Sequence, residues 1–379
     1  MKATASELRR LGCLEVLNDG QLAELAPHCE SITLDVGDAL PRRGEPRDTA
    51  PGLGLLLVGR LDVFFDGMSV GRVDEGELFF ERSALLGATL SAKMRAVVPS
   101  RVLVVPTSLI KRLRALELAS DELNLRQPWK LDIYDVRYDD VSVFESGRRG
   151  VYSLLVHEAC LQSLVRVERT NARVASISRA KPRPVRTRNW FQGLLARFKP
   201  APDAPSPIER LRRLPGLQDA EEGMLRQLAA RFEPVRVDQD EALFHEGDEA
   251  DACYLVAEGA MDVLRRTDSG GAECLTTIGP GALVGINALF LARPRNATLV
   301  ARAPSVLWRM SSKDVGERHW PSAMGVRWRE TLLAVLASQI TAANLALQRA
   351  SDAPDDDTAI EALYTAESAL FGDIRTDDP

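Results

Sequence analysis

The sequence predicts a mostly β protein with flanking α-helices: two β-rolls (double-stranded β-helix, jelly-roll-like) joined by long helices. Three observations predict this class. The chain repeats itself: Gly44-Glu45 is matched by Gly247-Asp248, and Gly59, Asp62 and Val63 by Gly259, Asp262 and Val263, at offsets of 203 and 200. Loops of unequal length produce such a small drift. In each copy, short apolar runs such as Tyr254-Leu255-Val256 and Met261-Asp262-Val263-Leu264 are broken by glycines and by Asp-Gly or Ser-Gly-Gly turns, the rhythm of an all-β sandwich or barrel. A leucine-rich prologue precedes each copy, with Leu14, Leu22 and Leu25 recurring as Leu217, Leu225 and Leu228. Leucines about three or four apart mark one face of a helix.

The elements follow in order. Residues 6–117 hold the first repeat, closed by the run Arg101 to Pro106, and residues 208–320 hold the second, closed by Ser305 to Met310. Between them, residues 118–178 read as a mixed, partly helical connector. Its stretch Gly150 to Ile177 has no proline and carries a stripe of Leu154, Leu155, Ala159, Leu161, Leu164 and Val165, the spacing of a helix with one apolar face. Residues 179–207 form a basic amphipathic segment and a Pro-rich linker, PAPDAPSP, which stiffens the chain. A long helix is predicted over 321–350, with Leu332, Leu333, Leu336, Ile340 and Leu347 on one side, and residues 351–379 are an acidic tail of nine acids and one arginine.

Composition excludes several classes. The chain has 379 residues, 45% hydrophobic and 27% charged, with a formal charge of −6, as in a soluble globular protein of two or three domains. No apolar run reaches the roughly 20 residues that span a bilayer. The segment MKATASELRRLG lacks an apolar signal core, so a cytoplasmic setting is expected. Five scattered cysteines without a CxxC pair argue against a disulfide framework or a zinc site. His28-Cys29 and His157 with Cys160 could donate to a metal but have no third and fourth ligand at matching spacing, and no metal is expected. No GxxxxGK[ST], HExxH or GxSxG motif and no general-base constellation of histidines is found. Catalysis is therefore not expected, and no catalytic residue is assigned.

The residues Glu246 to Val263 (EGDEADACYLVAEGAMDV), Gly281 to Ala301 and Gly76 to Ala96 together resemble the tandem cyclic-nucleotide-binding domains of catabolite-activator-type bacterial regulators and of kinase regulatory subunits. The resemblance covers both repeats. It implies a ligand cassette of Phe-Gly-Glu-x-(Ala/Ser)-Leu followed, nine residues after the Glu, by Arg-x-Ala-Thr. Backbone N–H groups and the arginine would hold the cyclic phosphate, the glutamate would accept the ribose hydroxyl, and a long C-terminal helix would cap the base. Both cassettes are incomplete. In the first, Phe80 replaces the glycine before Glu81, Arg82 and Ser83 follow, and Leu90 stands where the arginine belongs. Glu81 is free to pair with Arg82 or Arg95. In the second, Gly285, Arg295, Asn296, Ala297 and Thr298 fit, but Ile286 replaces the acid.

The reading that follows is a non-catalytic, cytoplasmic regulatory or scaffold protein of two degenerate domains that signals through a protein partner, with no cofactor. The alternative is a cyclic mono- or dinucleotide sensor using Arg295 of the second domain, and a lower one is a DNA-binding transcriptional regulator. Nucleic acid is not an expected partner, because the second long helix leads only to acidic residues. The stripe of the C-terminal helix offers a homodimer surface, or packs on its own roll. The segment with Arg183, Arg186, Arg188, Trp190, Phe191, Leu194 and Arg197 offers a partner-docking or peripheral membrane surface, at the inner face of a membrane, or else packs on the first roll or pairs with the acidic tail.

Overall fold

The structure is a computed structural model. It describes residues 1–41, 50–65, 68–90, 92–124, 150–177, 199–201, 203–266, 272–286, 290, 294–312 and 322–352. The basic residues Arg183 to Arg197, including Trp190, Phe191 and Leu194, and the acidic tail from residue 353 on lie outside the described residues.

The first roll opens with α1 (Ala5–Arg9) and α2 (Asp19–Leu25). Each begins with a reciprocal cap, Thr4 with Glu7 and Asn18 with Gln21, which satisfies backbone donors that a helix start leaves open. Strands β1 (Glu30–Leu34), β2 (Ala39–Leu40), β3 (Gly52–Val58), β4 (Leu61–Phe65), β5 (Met68–Val73) and β6 (Leu78–Phe79) precede the short helix α3 (Glu81–Leu86), then β7 (Lys93–Ala96) and β8 (Ser100–Pro106). They form two antiparallel sheets, β1-β8-β3-β6 and β2-β7-β4-β5. Leu56, Leu61, Phe79, Ala96 and Val102 fill the space between them. Helices α4 (Thr107–Asn124) and α5 (Val151–Ile177) follow.

The second roll repeats the plan. After β9 (Lys199–Pro200), α6 (Ile208–Arg213) and α7 (Glu222–Ala229) come β10 (Glu233–Val237), β11 (Ala242–Phe244), β12 (Ala252–Glu258), β13 (Met261–Arg266), β14 (Ala272–Ile278), β15 (Leu283–Val284), β16 (Thr298–Ala301) and β17 (Ser305–Ser311). The sheets are β15-β12-β17-β10-β9 and β11-β16-β13-β14, the first roll's order with β9 added at one edge. The irregularities recur as well: a register shift between Leu56 and Val58 answers one between Val256 and Glu258. The six prologue leucines are all buried.

Gly59 and Gly259 show why the repeat keeps glycine at that turn. Their φ angles are 106° and 88°, a region costly to residues with a Cβ. A Cβ would also lie 2.3 Å from the Ser100 hydroxyl in one roll and 2.2 Å from the Ser305 hydroxyl in the other. Those serines accept the next backbone N–H, from Arg60 and Ala260, each at 3.2 Å.

The chain divides into two compact units. One is Met1–Thr170 with Arg318–Ile340, the other Asn171–Glu317 with Thr341–Pro379. The last helix, α8 (Ser322–Asp352), thus gives its first part to the unit of the first roll. There Leu332, Leu333 and Leu336 are buried, while Ile340 is half-buried. The contacts of this part are polar as much as apolar. Glu330 accepts Arg114 Nε at 2.5 Å and the Tyr152 hydroxyl at 2.6 Å, and Arg329 Nη1 donates to Ser153 Oγ at 2.7 Å. Among the described residues no helix is long and apolar enough to cross a membrane.

Candidate functional site

The second roll buries a positive charge. Arg295 precedes β16, and its side chain is 3% exposed. Its guanidinium stacks over the Phe244 ring at 4.3 Å from the centroid and lies 5.7 Å from the Tyr254 ring. Cation–π contact of this kind partly offsets desolvation. Burial still pushes the Arg295 guanidinium below its ordinary range. Nη2 donates to Asp251 Oδ1 at 3.3 Å, while Asp251 Oδ2 takes Arg309 Nη2 at 3.0 Å. The remaining donors, Nε and Nη1, have no partner among the described residues. A buried charged donor left open costs on the order of 1–3 kcal/mol, so these N–H groups are suited to an anion.

The backbone places this side chain. Gly247 N donates to Arg295 O and Arg295 N to Asp248 O, both at 2.8 Å. Thr298 Oγ1 accepts Glu246 N at 2.9 Å. The Glu-Gly-Asp motif is therefore the turn that pins the arginine segment. Opposite it, Gly285 has φ 74°, and a Cβ there would lie 2.7 Å from Arg295 Nη1 and 3.2 Å from Ala252 O. Gly285→Ala is expected to lower the stability of the second roll by about 1–3 kcal/mol, from the left-handed backbone and overpacking, read as a lower urea midpoint. An unchanged midpoint would mean that the arginine has room to retreat. Ile286, next in the chain, is buried, while Asn296 is exposed and Ala297 half-buried.

The first roll has the same frame with different contents. Register equates Leu61↔Ala96 with Met261↔Ala301, which sets Leu90 against Arg295. It equates Gly54↔Phe79 and Gly54↔Val104 with Tyr254↔Val284 and Tyr254↔Arg309. The charged trio Arg295, Asp251 and Arg309 thus becomes Leu90, Pro51 and Val104. Phe80, at the Gly285 position, keeps the left-handed backbone with φ 64°. Its ring is buried in the core, edge-on to Phe79 at 5.0 Å, and Leu90 packs against the same cluster. Glu81 pairs with neither neighbour proposed for it. It accepts Arg166 Nη1 of α5 at 2.6 Å, because the helix lies on the cassette. Ser83 Oγ accepts Ala50 N at 3.0 Å, and Arg82 is half-buried on α3.

The structure brings Gly285 and Arg295 together beside β12, ties Thr298 to the Glu246 turn, and adds four residues that spacing did not reveal: Phe244, Asp251, Tyr254 and Arg309. Asp251 sits inside the quoted Glu246 to Val263 motif, but its pairing with two arginines is visible only in the folded chain.

Residues 234–317 match the family model of the cyclic nucleotide-binding domain. The second roll is similar to that domain over those residues. The chain is similar to proteins of known sequence. A cAMP-dependent protein kinase regulatory subunit from Yarrowia lipolytica is 32% identical over 90 residues, 24% of this chain and 23% of that protein. An uncharacterized ABC transporter ATP-binding protein from Mycobacterium tuberculosis is 31% identical over 86 residues, 23% of this chain and 26% of that protein. The chain thus spans about a quarter of the length of the curated relatives it matches. Among solved structures, a cyclic nucleotide-binding domain from Methylobacillus flagellatus is 22% identical, covering 36% of this chain and 77% of that one, with a TM-score of 0.34.

Proposed function

We propose that the chain is a non-catalytic regulatory protein whose second roll binds a cyclic mono- or dinucleotide through its phosphate at Arg295, and which answers through a protein partner. The observation that carries this reading is the pair of buried donors, Nε and Nη1 of Arg295, that have no partner among the described residues. Asp251 and Arg309 fix the guanidinium from one side and Phe244 covers its face. Gly285 keeps the approach open. Ile286, buried and aliphatic, offers no acceptor to a ribose hydroxyl, so phosphate recognition does most of the work and affinity is modest. The first roll, with Leu90, Pro51 and Val104 in place of the charged trio, takes no nucleotide.

Calorimetry with a panel of cyclic mono- and dinucleotides tests this. The full chain is expected to bind one equivalent. Arg295→Ala should weaken binding about 10- to 100-fold, the worth of a charged hydrogen bond. Absence of heat with every nucleotide would leave the second reading, a scaffold acting only through its partner, which Ile286 and the closed first roll favour.

A further inference from the structure

The cassette of the first roll, and the strand that leads into it, are touched by a helix. Three residues of α5, Gln162, Arg166 and Arg169, lie on one helical face at i, i+4 and i+7, and all three reach the stretch Gly76 to Glu81. Gln162 Oε1 accepts Leu78 N at 2.5 Å, and Gln162 Nε2 donates to Gly76 O at 3.3 Å. Arg166 donates to both Leu78 O and the Glu81 carboxylate. Arg169 Nη1 donates to Glu77 Oε1 at 2.6 Å. Arg166 and Glu81 are shielded, at 23% and 10% side-chain exposure, where a charge pair is screened less than at an open surface. From the inner side the same stretch is closed by Phe79, Phe80 and Leu90.

We propose that α5 is the built-in ligand of the first roll: a guanidinium and an amide from the chain itself occupy the cassette, which is latched on α5 without any small molecule. The two rolls divide the work. The second, with Ile286 in the position of Glu81, has no acid to receive such a latch and keeps an open arginine. The first has the acid, has lost the arginine, and draws its cation from a helix. This inference needs no ligand in the second roll, so it stands or falls apart from the function proposed above.

Hydrogen exchange read by mass spectrometry on the full chain tests it. In Arg166→Ala, exchange over residues 76–86 and over 151–170 is expected to rise about tenfold or more, as when a local unit opens, while β3 and β8 keep their protection. Glu81→Gln, which preserves size and an acceptor, should give a smaller rise in the same segments and carries the test if Arg166→Ala misfolds. Adding cyclic AMP or cyclic GMP to the wild type should leave 76–86 unchanged. Unchanged exchange in both variants, a uniform rise over the whole roll, or nucleotide protection of 76–86 would each overturn the proposal.

Discussion

Glu330→Ala is expected to destabilise the unit of the first roll by about 3 kcal/mol, the low end of the cost of breaking a buried ion pair. Glu330 is 6% exposed in its side chain and is the acceptor for both Arg114 and Tyr152. Its removal leaves the Tyr152 hydroxyl, already 3.2 Å from Leu85 O, to rely on that carbonyl alone. Arg114 is 34% exposed and can recover water, which is why the low end applies. The reciprocal change discriminates. Arg114→Ala strands a carboxylate that cannot reach water as easily and should cost at least as much, whereas Glu330→Gln keeps an acceptor for Tyr152 and should cost less. Urea unfolding of the three variants measures this order. A loss below about 1 kcal/mol for Glu330→Ala would show the pair to be no stronger than a surface bridge. Nearby, Glu117 is pushed up by burial while accepting the Ser153 N–H.

The architecture was legible because it was written twice. Gly59 and Gly259 could be matched in the sequence since a turn with positive φ against a serine hydroxyl tolerates little else. The strand runs announced themselves by period. The second cassette was legible at Gly285 and Arg295, whose spacing along the chain is set by local geometry. What surrounds them was not. Asp251 and Arg309 meet only through the pairing of β12 with β17, and no local pattern encodes which residues two sheet neighbours bring together. Arg166 lies 85 positions from Glu81, whereas Arg82 and Arg95 are the cations that proximity in sequence offers. The stripe on α8 likewise announced burial but not the burying surface: apolar periodicity says that a face is covered, not by what.

The largest effect in the first roll is expected at a ring that the two repeats place on opposite strands. In the second roll the aromatic is Tyr254 on β12, facing Val284 on β15; in the first it is Phe79 on β6, facing Gly54 on β3. A Cβ on Gly54 would lie 2.2 Å from the Phe79 ring, so the glycine exists to admit that ring. Phe79→Ala should cost about 3–5 kcal/mol, as for other buried rings. Gly54→Phe alone should cost at least as much, since two rings then claim one volume. Combined as Gly54→Phe with Phe79→Val, the first roll copies the second roll's division of volume, with a phenyl rather than a phenol because Val104 replaces the Arg309 that stands beside Tyr254. The double variant is expected to recover about 2–3 kcal/mol relative to the sum of its parts, the upper range of coupling between residues in contact. Single and double variants compared by urea unfolding give that coupling directly. Costs that simply add would mean the two positions do not share a volume, and the paired exchange between the repeats would then have arisen without packing as its cause.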